Sequence, residues 1–148
     1  PVYQRLCTAA RARGLRVTIE TAVEEYPAIS MHIDRMLQFL ADVGAENFGI
    51  CVDAGHCHLH GLDLPGVIRQ IGSHFFETHF HDNFGDRDSH YPVGIGTIDW
   101  RGVILAMLDS GYRGGITFEQ SHHQANATNW GLFLLKAVEK SRKGAGHE

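Results

Sequence analysis

Between Glu77 and His90 the chain reads ETHFHDNFGDRDSH, three histidines set among carboxylates. Imidazole and carboxylate groups ligate divalent cations and also act as general acids and bases, so a dense mixture of the two is either a solvated loop or one wall of a chemical site. The stretch belongs to a wider enrichment. Seven of the eleven histidines, His56, His58, His60, His74, His79, His81 and His90, fall in the 35 residues from 56 to 90.

Regular elements must position such groups, and apolar periodicity indicates which. The opening segment to Arg13 is helical in pattern and closed by Gly14, and β-branched residues make a short strand of Arg16 to Glu20. Ile33, Met36, Leu37 and Leu40 repeat at helical spacing behind Ser30, the expected cap. A strand FGICVD, a loop and a short helix begun by Asp63 and Pro65 come next, then a strand FFETHFHD and a long loop from Asn83 to Thr97. Ile98 to Tyr112 reads as helix, Gly115 to Glu119 as strand and Thr128 to Arg142 as a last helix. Helices separate the strands throughout, which predicts an α/β fold with parallel strands.

Successive strand side chains point to opposite faces, so each polar residue can be assigned a side. Val17 and Ile19 oppose Thr18 and Glu20; Ile50 and Val52 oppose Gly49, Cys51 and Asp53. Phe76 and Phe80 are expected to oppose Glu77, His79 and His81, and Ile116 and Phe118 to oppose Thr117 and Glu119. Each strand thus has an apolar face for helices and a small or polar face ending in a metal-capable group. In a parallel α/β barrel those ends converge at the C-terminal mouth, which predicts that Glu20, Asp53, His79 and Glu119 meet. Three carboxylates and one imidazole suit Mn²⁺, Mg²⁺, Co²⁺ or Zn²⁺, and without a cation or protonation their mutual repulsion would be severe. One acidic residue at a strand end is ordinarily a helix cap or a loop residue; four at matching positions change that balance. His58, His60, His74, His122 and His123 have no such registration and read as surface histidines.

Composition bounds the rest. The length fits one domain with a core, 43% hydrophobic and 20% charged residues are globular values, and a net charge of −4 without a long basic run argues against a nucleic-acid partner. Cys7, Cys51 and Cys57 lack a CxxC spacing and read as reduced thiols, so the cytoplasm is the expected location; no apolar stretch approaches a membrane span. The chain starts at Pro1 within a helical pattern, as a fragment of a longer protein would.

With these residues in hand, the chain resembles the xylose isomerase-like TIM barrels, the superfamily that joins sugar phosphate isomerases and epimerases with endonuclease IV. The resemblance lies in IETA at Ile19 to Ala22, VDAGHCHLHGLD at Val52 to Asp63, HFHDN at His79 to Asn83, DSHYPVGIGTIDW at Asp88 to Trp100 and GYRGGITFEQ at Gly111 to Gln120, in family order. It implies that residues 1–148 are the C-terminal half of the barrel, strands five to eight of an eight-stranded fold. It also implies a sugar or sugar phosphate isomerase or epimerase in which Glu20, Asp53, His79 and Glu119 hold one divalent metal. Glu20 and Glu119 would then act as base and acid through a metal-stabilised enediolate, with His56 and Arg87 on the substrate. His81 and Asp82 would stand behind His79 as orienting groups or, with Asp88 and His90, near a second metal.

Two other readings follow. One is an endonuclease IV-like zinc phosphodiesterase acting on abasic DNA, in which His56, Asp88 and His90 join the first four residues in a trinuclear cluster. The other is an inactive partial barrel serving as an interaction module, since half a barrel exposes two strand edges through which a homodimer can form.

Overall fold

The computed structural model of the protein describes residues 2–23, 29–120 and 136. Along them run α1 (Val2–Arg11), β1 (Val17–Glu20), α2 (Ile33–Val43), β2 (Phe48–Asp53), α3 (Ala54–Leu59), α4 (Leu64–Ile71), β3 (Phe75–Phe80), α5 (Trp100–Asp109) and β4 (Thr117–Phe118). The helix expected over Thr128 to Arg142 lies outside the described residues, apart from Lys136.

Four parallel strands form one sheet in the order β1-β2-β3-β4, so neighbours in sequence are neighbours in space. Among the described residues β1 and β4 are its edges. The pairing brings Glu20 opposite Cys51, Asp53 opposite His79 and His79 opposite Thr117, which sets the polar strand ends side by side.

The apolar face is covered by helices as the spacing requires. Ile33, Met36, Leu40 and Val43 of α2 are all buried, and the helix stops where Gly44 adopts φ 65, a left-handed turn open to glycine without steric cost. Leu64, Val67, Ile68 and Ile71 of α4 and Trp100, Val103, Ala106 and Met107 of α5 join them in one cluster with Ile50, Val52 and Phe80. The Trp100 ring meets Phe80 edge to face at 5.1 Å.

Three local expectations need correction. Ser30 does not cap α2: it lies in a short 3-10 turn, Ile29–Met31, and His32 precedes the helix instead. The segment after Asp53 is not a loop but α3, six residues begun by the Asp53 carboxylate, which accepts the His56 amide at 2.7 Å. Phe76 does not share a face with Phe80. The β2–β3 register shifts between Ile50 and Cys51, so strict alternation fails there. Phe75, not Phe76, is buried in the core and stacks on Tyr112 at 4.3 Å. Phe76 instead covers Gly49, where a Cβ would collide with its ring, and carries the Arg16 guanidinium 4.8 Å above it.

Candidate metal centre

Strand ends place the first set of groups. Glu20 closes β1, Asp53 closes β2, His79 is the penultimate residue of β3, and Glu119 follows β4 with its amide bonded to the Phe80 carbonyl at 3.1 Å. One donor atom from each of the four lies within 4.8 Å of the others. His79 Nδ1 is 3.0 Å from Glu20 Oε1 and 3.5 Å from Glu119 Oε2. Burial alone would lower the His79 pKa, but the Glu20 hydrogen bond and the charges of Glu20, Glu119 and Asp53 outweigh it and hold the imidazole above its ordinary value.

Asp53 is fully buried, and its two oxygens differ. Oδ1 caps α3 through the His56 amide, whereas Oδ2 is buried without a hydrogen-bond partner. An unpartnered buried carboxylate oxygen costs several kcal/mol unless a cation or a proton meets it. Here it belongs to a set of three carboxylates and an imidazole, a donor set that fits a hard or borderline divalent ion.

A second set stands beside the first: His56, His81, Asp88 and His90 also offer one donor each within 4.8 Å. The sets touch, since His56 Nδ1 is 3.8 Å from Glu20 Oε1 and His81 Nε2 is 3.0 Å from Asp53 Oδ1. His81 is fully buried against Gly55, where no Cβ would fit, and its ring stacks on His90 at 3.9 Å and 15°. It stands beside Asp53 rather than behind His79. The loop that carries Asp88 and His90 folds back because Asp82 and Tyr91 exchange backbone hydrogen bonds of 2.8 and 3.0 Å. His90 completes the approach with φ 46, an uncommon conformation for a residue other than glycine.

Asp82 enters neither set. Its buried carboxylate accepts from the Asn83, Gly94 and Ile98 amides and from Trp100 Nε1, and so organises the loop beneath the site. Arg87 is exposed on that loop, 3.4 Å from the Tyr91 hydroxyl, and is absent from both donor sets. His58 reaches Thr97 Oγ1 at 2.8 Å and also stays outside the donor sets. Burial pushes the Cys51 thiol far up and the Cys57 thiol to about 12, which makes both poor nucleophiles.

Two supporting residues escaped the reading of the sequence. Thr21 is buried, and its hydroxyl accepts from the Asp53 amide at 2.9 Å, tying the ends of β1 and β2 together. Asn83, also buried, donates to the Gly55 carbonyl at 2.8 Å and fixes the start of α3 against the loop. A buried polar residue just beyond a strand end was their only signal.

A family model described as xylose isomerase-like TIM barrel matches residues 2–142. Among curated proteins, the uncharacterised protein y4fM of Sinorhizobium fredii is 27% identical over 107 residues, 72% of this chain and 34% of that protein. A fructoselysine 3-epimerase of Escherichia coli O157:H7 is 23% identical over 137 residues, 93% of this chain and 49% of its own length. The chain therefore spans about half or less of these curated relatives. Among solved structures, a D-tagatose 3-epimerase-like protein superposes with a TM-score of 0.82 at 21% identity, over 94% of this chain and 54% of that one. At that identity the likeness concerns the fold: four parallel strands with their helices, part of a barrel.

Proposed function

We propose, because this chain belongs to the xylose isomerase-like TIM barrel family, that it is the second half of a sugar isomerase or epimerase that uses a divalent metal. The observation that carries this reading is the convergence of Glu20, Asp53, His79 and Glu119 donors within 4.8 Å around the unpartnered Asp53 Oδ2. A divalent ion held by these four would supply Lewis-acid polarisation to neighbouring hydroxyl and carbonyl oxygens of an open-chain sugar.

The chain's own groups carry the remaining chemistry. Glu20 and Glu119 are half-exposed while Asp53 is buried, so the two glutamates are the carboxylates a substrate can reach. One removes a proton from the carbon beside the carbonyl and the other returns it, which inverts or relocates a stereocentre. His56, held by Nδ1 on the Thr21 carbonyl at 2.9 Å, orients a substrate oxygen. Arg87, exposed at the rim, meets a hydroxyl or phosphate. Similarity to a fructoselysine 3-epimerase supports a ketose-like substrate.

The test is solvent exchange. The complete protein, loaded with Mn²⁺ and incubated in D₂O with a panel of ketoses and ketose phosphates, should place deuterium at the carbon beside the carbonyl. Glu119→Gln should reduce the rate by roughly 10²- to 10⁴-fold, the usual worth of a general acid or base. A Glu119→Gln protein that exchanges normally rules out its role.

A second reading, a zinc phosphodiesterase acting on abasic DNA, is favoured by one observation, the proximity of His56, Asp88 and His90. Nicking of an abasic duplex by the complete protein, without deuterium exchange into any ketose, would establish it in place of the first.

A further inference from the structure

The N-terminal ends of the strands, opposite the metal centre, carry a cavity that the proton transfer does not use. It holds about 320 Å³, the lower end of the range for small-molecule sites, and its side chains include Arg16, Ser73, Phe76, Ser110, Tyr112 and Arg113. Arg16 directly precedes β1, Phe75 and Phe76 open β3, and Ser110 to Gly114 lie between α5 and β4. Phe75 and His79 stand at opposite ends of β3, roughly 13 Å apart at the rise of a strand. We infer that this cavity is an anion site that binds a phosphate group, as the free ion or at the end of a phosphate monoester, with Arg16 and Arg113 as its charged donors. The site is independent of the reaction and stands under either functional reading.

Charge provides the first support. The chain carries a net charge of −4, yet two guanidinium groups and no carboxylate line this cavity. Arg69 pairs with Asp109 at 3.0 Å, whereas Arg16 and Arg113 meet no carboxylate among the described residues. Arg16 stands 4.8 Å above the Phe76 ring. A cation–π contact consumes no hydrogen-bond donor, so the N–H groups of that guanidinium stay available to an oxyanion. Glu77 is engaged elsewhere: its Oε1 accepts the Thr78 amide at 3.1 Å and the Thr117 hydroxyl at 3.0 Å.

The shape of the cavity provides the second and independent support. Tyr112 stacks on the buried Phe75 at 4.3 Å, and its hydroxyl donates to the Gly115 carbonyl at 2.7 Å, so one wall is fixed. That ring folds over Gly114, where a Cβ would collide with it. Burial and the Glu77 charge push the Tyr112 phenol up to about 12 while the Arg16 charge opposes them, so Arg16 acts on the same wall. Gly72 and Gly111 border the cavity, and a Cβ at either would meet nothing within 4 Å, which leaves a ligand room against the backbone. Ser73 adds a hydroxyl, whereas the Ser110 hydroxyl is spent on the Met107 carbonyl at 2.9 Å.

These donors choose the ligand. A phosphate dianion balances two positive charges, and its oxygens can occupy the N–H forks of both guanidinium groups at once. A carboxylate has half the charge and too few oxygens to do so.

The test is calorimetric titration of the complete protein with inorganic phosphate, glycerol phosphate and acetate. Both phosphates should bind, and acetate at least roughly tenfold more weakly. Arg16→Gln and Arg113→Gln should each lower phosphate affinity by roughly 10- to 100-fold, the worth of a charge-assisted hydrogen bond. Arg16→Lys, which keeps the charge without the fork, should fall between. Arg87→Gln and His79→Asn, at the other end of the strands, should leave the affinity unchanged and so separate this site from phosphate held at the metal centre. Tighter binding of glycerol phosphate would assign the site to an ester, and tighter binding of inorganic phosphate to the free ion. Absence of phosphate binding by the unaltered protein would overturn the inference, a carboxylate from elsewhere in the complete protein then filling the cavity. So would affinity unchanged in both Arg16→Gln and Arg113→Gln, or acetate bound as tightly as phosphate. Failure of deuterium exchange into ketoses would leave it untouched.

Discussion

Replacing Asp82 by Asn keeps the volume of the side chain and removes its charge and half of its accepting capacity. Oδ1 accepts the Asn83 amide at 2.9 Å and the Ile98 amide at 3.3 Å; Oδ2 accepts the Gly94 amide at 2.9 Å and Trp100 Nε1 at 2.7 Å. Whichever way the new amide turns, its NH₂ group faces two N–H donors that formerly met an oxygen. Gly96 packs closely on that side, where a Cβ would collide with Asp82 Oδ1 and the Asn83 carbonyl. Each unsatisfied buried donor costs about 1 to 3 kcal/mol, so Asp82→Asn should destabilise the chain by roughly 2 to 6 kcal/mol. That is a large share of the roughly 5 to 15 kcal/mol that holds a domain folded. With a urea slope of about 2 kcal/mol per molar, the unfolding midpoint should fall by about 1 to 3 M. Trp100→Phe removes one donor while leaving the carboxylate intact, and should cost less. A midpoint for Asp82→Asn within a few tenths molar of the unaltered chain would refute the claim that this carboxylate holds the loop together.

Two further outcomes are expected. Acid should weaken ion binding at the first site: His79 is held above its ordinary value, so protons begin to compete above pH 6.5, and affinity should drop by about tenfold per unit once pH is below that raised value. The sign reverses for the metal-free chain, where a raised pKa adds stability below the unfolded value and loses it as pH rises through the folded one, so His79→Asn should destabilise the apo chain more at pH 6 than at pH 8 in urea titrations. Gly55→Ala should drive a methyl into the His81 ring, costing about 1 to 3 kcal/mol in urea titrations; a variant with native stability would contradict the packing described.

Much of the fold was legible because it is local. Burial of Ile33, Met36, Leu40 and Val43 follows from helical spacing, and the parallel sheet from alternation of strand and helix. Side-chain alternation also brought Glu20, Asp53, His79 and Glu119 to one place, since Glu20 and Asp53 end their strands and His79 lies one residue short of its strand's end, where the register is continuous. It failed at Phe75 and Phe76, where a register shift of the β2–β3 pair breaks the period of two and no residue type announces it. The helix α3 escaped notice because it has six residues and a glycine in its first turn. The second donor set depends on a loop closing on itself through Asp82 and Tyr91 and on His90 reaching the Glu119 carbonyl, contacts between residues 9 and 29 positions apart that no local pattern encodes.

The central claim is that Glu20, Asp53, His79 and Glu119 together hold the divalent ion on which the chemistry depends. Electron paramagnetic resonance of Mn²⁺ added to the metal-free chain tests it most directly, because bound and free Mn²⁺ give distinguishable signals. One tightly bound Mn²⁺ per chain in the unaltered protein, with affinity falling by roughly 100-fold or more in both Asp53→Asn and Glu119→Gln, is the predicted result. Equal Mn²⁺ binding by the unaltered chain and by both folded variants would contradict it.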